Sequence, residues 1–117
     1  MGFGFEKLEV YQKALEFMNE IYVLTRAFPK DEQFGLTSQL RRAAVSIAAN
    51  ISEGSARSKK DFARFIDMSR GSIYECLAIL QIASRQNYFQ IEKYKDLENR
   101  LTDLSKMLSG LKRALIC

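Results

Sequence analysis

One stretch, LRRAAVSIAANISEG from Leu40 to Gly54, restricts the possible folds more than any other. At about 100° per residue, Leu36, Leu40, Ala43, Ala44, Ile47, Ala48 and Ile51 form one broad apolar stripe of a helix. Arg42, Ser46, Ala49 and Glu53 fall close to a single line on the other side. That line is small in the middle and charged at its ends, so a neighbouring backbone can approach it closely. A helix of this kind packs twice, once into its own core and once against something else.

The rest of the chain reads as helix too. One proline and six glycines in 117 residues leave few places for a helix to break. A chain of this length makes one domain, 1–117, and buries about 65% of its unfolded surface, enough for a core without staples. Residues 1–7 are a lead-in whose Phe3 and Phe5 are placed to cover a bundle end. A first helix, about 8–28, follows the rhythm of Tyr11, Ala14, Leu15, Met18, Ile21, Tyr22 and Thr25, and Pro29 closes it. PKDEQFG is a polar connection with room for a single helical turn. The second helix, about 37–53, takes Thr37 or Ser38 as N-cap and Gly54 as a left-handed stop. The third, about 59–86, has Ser58 as N-cap with Asp61 three residues on, a variant of the capping box.

Helix three is apolar on two opposed faces. Phe62, Phe65, Ile66, Ser69, Ile73, Cys76, Leu77 and Leu80 make the main stripe, with Met68, Gly71, Glu75, Ala78, Ile79 and Ile82 opposite. In a small protein a second apolar face implies burial in an oligomer. Asn87 suits a left-handed stop before the fourth helix, about 91–115. There Tyr94, Leu97, Leu101, Leu104, Leu108, Leu111 and Leu115 alternate steps of three and four, a heptad seam. The expected fold is therefore all-α, an antiparallel up-and-down four-helix bundle that assembles as a homo-oligomer. Its contact would use Arg42, Ser46, Ala49, Glu53, Met68, Gly71, Glu75, Ile79 and Ile82. On this reading Glu53 pairs between chains or holds the turn.

The residue inventory narrows the chemistry. The chain has no histidine, which removes the serine triad, histidine general acid–base catalysis and the commonest metal ligand. Gly54 and Gly71 are isolated, so there is no glycine-rich phosphate loop. Cys76 lies among apolar residues without a base, and Glu16 and Glu20 read as helix surface. An enzyme is not expected, nor a metal or other cofactor. Cys76 and Cys117 form no spaced framework, which points to a reducing compartment. MGFGFEKLEV is no signal peptide, Glu6 spoils a myristoylation signal at Gly2, and no apolar run is long enough for a membrane span. The expected location is cytoplasmic, away from membranes.

The charge is concentrated. Between Arg41 and Arg70 basic residues outnumber acids by four, while elsewhere eleven of each cancel. Arg41, Arg57, Lys59, Lys60 and Arg64 are the candidate contacts to nucleic acid. Lys59 and Lys60 occupy the first turn of helix three, where positive charge opposes the helix dipole at a cost of about 0.3–1 kcal/mol each. That local disadvantage points to an anionic ligand. An acidic protein surface would suit the same cluster, and so would plain solvation of two good helices. Phe62 and Phe65 interleave with these cations but fall on the core stripe, which assigns them to packing rather than base stacking.

FGLTSQLRRAAVSIAANISEGSARSKKDFARF, with the later GSIYECLAIL, resembles the bacterial four-helix-bundle family named for an open reading frame inside 23S rRNA intervening sequences. That family is similar in turn to the accessory variability determinant protein of diversity-generating retroelements. The likeness runs from about Leu8 to Leu115 and is most specific in RRAAVSIAANISEG. Matching positions are Arg41, Arg42, Asn50, Glu53 and Gly54, and Ser58, Lys59 and Lys60 at the turn. The resemblance implies a homopentamer of four-helix bundles. For the retroelement relatives it also implies binding to nucleic acid and to a reverse transcriptase. The functional expectation is a non-enzymatic oligomeric scaffold binding RNA or DNA weakly and without sequence preference. The alternatives are an accessory factor contacting an acidic protein partner, such as a reverse transcriptase, and a purely structural oligomer.

Overall fold

Four helices carry the chain in the computed structural model, which describes residues 4–116: α1 (Glu9–Thr25), α2 (Leu36–Ser55), α3 (Lys59–Arg85) and α4 (Ile91–Ile116). Short 3-10 turns at Gly4–Lys7 and Lys30–Glu32 precede α1 and α2, and no strand occurs among the described residues. Each helix packs on its neighbours in sequence, and α1 closes the ring against α4. Ile47 bonded to Ser69 with Gly54 beside Phe62, and Asp67 paired with Lys112 with Gln81 bonded to Tyr94, show that α2–α3 and α3–α4 run antiparallel. Gly2, Phe3 and Cys117 lie outside the described residues.

The core is one continuous layer of side chains between the four helices. Phe17, Ile21, Leu40, Ile47, Ile51, Ile66, Leu80, Leu97, Leu101, Leu104 and Leu108 are all essentially inaccessible to solvent. Each stabilises the fold by about 1.5–3 kcal/mol relative to exposure. The heptad seam of α4 supplies four of them, with Tyr94, Leu111 and Leu115 half-buried at its ends. In α1 the buried line is Val10, Ala14, Phe17, Ile21 and Thr25, while Tyr11, Leu15, Met18 and Tyr22 flank it. This line is turned by roughly 60° from the sequence-based stripe. Phe17 decides the difference, because its large ring fills the centre between α1 and α4.

Helix ends follow local chemistry, with two departures from expectation. At Asn87, φ is 61°, and the Tyr88 and Asn87 N–H groups donate to the carbonyls of Ala83 and Ser84. This is the six-to-one and five-to-two pattern of a left-handed stop. Ser58 Oγ accepts from the Asp61 N–H at 3.2 Å and caps α3. α2, however, begins at Leu36, behind Gly35, and neither Thr37 nor Ser38 caps it. Glu32 does the capping instead: its Oε1 accepts from the Leu36 N–H at 3.2 Å, and its Oε2 accepts from the Tyr88 hydroxyl at 2.8 Å. One carboxylate thus ties the α1–α2 connection to the α3–α4 turn, beside a cluster of Phe28, Tyr88 and Phe89.

The second departure is Gly54. It lies inside α2, buried and without a positive φ, so it is not a left-handed stop. A Cβ there would stand 2.6 Å from Phe65 Cβ and 2.9 Å from Phe62 Cδ1. The glycine is present because α3 crosses too close for any side chain. Seven residues back, the Ser69 hydroxyl donates to the Ile47 carbonyl at 2.6 Å. α2 and α3 are therefore pinned together at two levels, more intimately than any other pair.

Candidate nucleic-acid interface

The turn from Glu53 to Arg64 gathers the cations at one end of the bundle. Arg57 pairs with Glu53 at 3.3 Å, and its guanidinium carbon lies 4.9 Å from the centre of the Phe65 ring. Arg64 pairs with Asp61 at 3.6 Å and approaches the same ring at 5.4 Å. Two guanidinium groups are thus steadied against one aromatic surface, each with a carboxylate partner one turn away. Glu53 holds the turn within its own chain. Lys59 and Lys60 are exposed and make no ion pair among the described residues. Phe62 and Phe65 are core side chains, 9% and 7% exposed.

Arg41 does not join this group. It sits near the start of α2, fourteen residues before that helix ends at Ser55, about 21 Å from the turn at 1.5 Å per residue. Its Nε donates to Thr25 Oγ1 at 2.8 Å, and its guanidinium lies over the Tyr22 ring at 4.5 Å. The side chain fastens α2 to α1, and that is why it stands apart from the other four.

α4 supplies a cation that its own sequence gave no reason to group with α3. Running antiparallel to α3, it brings its last turns level with α3's first ones. Lys112 Nζ pairs with Asp67 at 2.9 Å, and Arg113 follows it, exposed. The signal that finds it is topology: the ends of a four-helix hairpin array meet, so the C-terminal turn lies near the α2–α3 connection.

The outer faces of α2 and α3 adjoin this end. Arg42, Ala49, Glu53, Gly71 and Glu75 are exposed, Ser46 is partly so, and Met68 and Ile82 are 47% and 48% exposed. A shallow groove lined by Gln39, Arg42, Ala43, Ser46 and Glu75 joins the two lines. Val45, 38% exposed, lies about 70° round α2 from that line, on the side nearer α1. Ile79 corrects the expectation: at 5% exposure it is a core residue. α3 is clasped by α2 on one side and α4 on the other, so its buried arc is wide enough to take in Ile79.

Fold and site together define a small all-α bundle protein with one cationic end. The 23S rRNA-intervening sequence protein family matches residues 6–110, and the chain belongs to that family. It is also similar to a crystal structure of a protein of unknown function from the S23 ribosomal protein family of Bacteroides thetaiotaomicron. The two are 28% identical with a TM-score of 0.81, over 88% of this chain and 97% of that one. Among curated proteins, none matches this chain. No helix among the described residues is long and apolar enough to cross a membrane.

Proposed function

We propose that the protein is a non-enzymatic, cytoplasmic binding module that holds RNA or DNA weakly at the cationic end of the bundle. The observation that carries this reading is the pair Lys59 and Lys60. Both are exposed without an acidic partner among the described residues, beside two guanidinium groups already fixed in place. Such a cluster reads phosphates and not base edges, so binding is sequence-independent and falls steeply with salt. The family's link to 23S rRNA intervening sequences agrees with a nucleic-acid ligand. The test is fluorescence anisotropy of labelled RNA and DNA across about 50–200 mM salt, with Lys59→Glu/Lys60→Glu beside the parent. Loss of binding in a folded variant supports the reading; binding that ignores salt or survives both changes refutes it in favour of a protein partner.

The same reading includes assembly into a homo-oligomer, with five chains as the number the family likeness favours. Its support is the outer face of α2 and α3, where Met68 and Ile82 lie exposed on the same helical side as Glu75, alongside the Arg42–Glu53 line. Repetition of a weak cationic site around such an assembly raises avidity when one nucleic acid reaches several copies. Sedimentation equilibrium at micromolar concentration tests it, and a clean monomer would remove it.

A further inference from the structure

We infer that two different faces hold the assembly together: the outer α2–α3 face of one copy docks on the outer seam between α1 and α2 of the next. This rests on the homo-oligomer proposed above and goes on to name its second surface.

α1 carries more apolar side chain than its own core uses. Its buried positions, from Phe17 to Thr25, span an arc of about 80°, whereas its apolar positions continue to Leu15, roughly 160° round from Phe17. The surplus is Tyr11, Leu15, Met18 and Tyr22, all half-buried. Steps of four, three and four put them on one line. Arg41 of α2 lies over the Tyr22 ring at 4.5 Å, so that line faces α2. Across the seam α2 presents Val45, 38% exposed, and Ser52, both within about 40° of Arg41 round the helix. No aspartate, glutamate or lysine falls on either line. Tyrosine, methionine and aliphatic side chains without acids or lysines are the composition of an interface core. The connection at the head of this seam adds Phe34, 91% exposed. The other two outer seams are closed by charge. Glu20, Lys93, Asp96 and Arg100 form a cycle of ion pairs between α1 and α4, and Asp67 pairs with Lys112 between α3 and α4.

A second copy of the chain fits this seam in charge and in geometry. Arg26, one turn beyond Tyr22, makes no ion pair among the described residues, and neither does Glu75 on the α2–α3 face. Docking one face on the other sets positive charge against negative, with Met68 and Ile82 as the apolar counterpart of the seam. The four helices stand at the corners of a rough square, so adjacent outer sides face about 90° apart. A ring of identical copies closes when the two docking sides of each face about 90° apart for four copies, or about 108° for five. Docking sides on opposite faces would instead build an open filament. The α1–α2 and α2–α3 sides therefore close a small ring, with α2 at their shared corner and nearest the axis.

Sedimentation at matched micromolar concentrations would compare the full-length parent with Val45→Arg, with Met68→Arg and with an equimolar mixture of the two. Val45→Gln runs alongside as a milder change, Val23→Arg as a control on the α1–α4 side, and circular dichroism confirms folding. Val45→Arg and Met68→Arg should each fall to the mass of one chain, and Val45→Gln should dissociate on dilution before the parent does. The mixture should sediment heavier than either variant alone, because one component keeps an intact α2–α3 face and the other an intact seam. Val23→Arg, although Val23 is 61% exposed, should assemble as the parent does. Val45→Arg assembling like the parent would overturn the second face and leave the homo-oligomer standing. Two dissociated variants that gain no mass on mixing, or dissociation by Val23→Arg, would overturn the pairing of these faces. A parent that sediments as one chain would remove the proposed assembly and this inference together.

Discussion

Replacing Gly54 with alanine tests the closest contact in the bundle. On helix propensity alone the change should help, since alanine is favoured over glycine in a helix interior by about 1 kcal/mol. The new methyl, however, would meet Phe65 Cβ at 2.6 Å and Phe62 Cδ1 at 2.9 Å. Carbon atoms pack comfortably at about 3.5–4.0 Å, so roughly 1 Å of separation must be found. Phe65 Cβ is fixed to the α3 backbone and cannot swing away as a chain terminus would. The helices must part, stretching the Ser69–Ile47 hydrogen bond of 2.6 Å two turns along. Overpacking of this kind costs about 1–3 kcal/mol, and a backbone-anchored clash belongs at the upper end. Against the propensity gain, the net loss is about 2 kcal/mol, a fall in Tm of roughly 6–12 °C for a domain of this size. Urea denaturation followed by helical circular dichroism, at one protein concentration, measures it. Gly110→Ala is the control, because a Cβ there would meet only Arg113 Nη2 at 3.9 Å, and it should stabilise by about 0.5–1 kcal/mol. A Gly54→Ala variant as stable as the parent would refute the reasoning.

Ala49→Arg should dissociate the proposed oligomer while leaving each bundle helical, because Ala49 is exposed on the outer face of α2; unchanged sedimentation would place the contact elsewhere. Lys93 is held above its ordinary pKa, first by its hydrogen bond to Glu20 at 2.7 Å, so the folded state favours its charged form. That stability is present below the ordinary lysine value and lost as pH rises through the raised one. Lys93→Met should therefore cost about 0.5 kcal/mol near neutrality, shrinking in high salt and again at strongly alkaline pH, as urea midpoints would show. Burial pushes the Cys76 thiol up to about 12, the nearby Glu75 adding to it. In a Cys117→Ser background, a thiol reagent at neutral pH should react only as fast as the bundle opens, and prompt stoichiometric labelling would contradict the burial.

The heptad leucines of α4 were legible because step and residue type agree, and Leu97, Leu101, Leu104 and Leu108 are all buried. The first apolar stripe of α2 was equally clear, and every buried apolar side chain of that helix lies on it. Ser58 and Asn87 declared themselves through chemistry that acts within a few residues. What the sequence hid depends on contacts between distant segments. Gly54 looked like a stop because glycine often ends a helix; its reason lies in Phe65, on another helix. Glu32 caps α2 from outside the expected N-cap position and reaches Tyr88, 56 residues away. Arg41 belonged to the basic run in sequence, yet Thr25 and Tyr22 claim it in space. Lys112 is the converse, distant in sequence and brought to Asp67 of α3 by the return of α4. Ile79 fell on the wrong side of a boundary that only the neighbours of α3 define.

The two pins between α2 and α3 also decide where this chain can change length. Ile47 and Gly54 are seven residues apart on α2, and Ser69 and Phe62 are seven apart on α3, so the same two turns are matched on both helices. An extra residue within either span would rotate everything beyond it by about 100°, separating one pin from its partner and turning Ile51 or Ile66 out of the core. An extra residue between Ala56 and Ser58 does neither, because both pins lie outside the turn and a longer loop costs little. Length change in this hairpin is tolerated only in the connection, which carries Arg57, while Lys59, Lys60 and Arg64 belong to α3 itself.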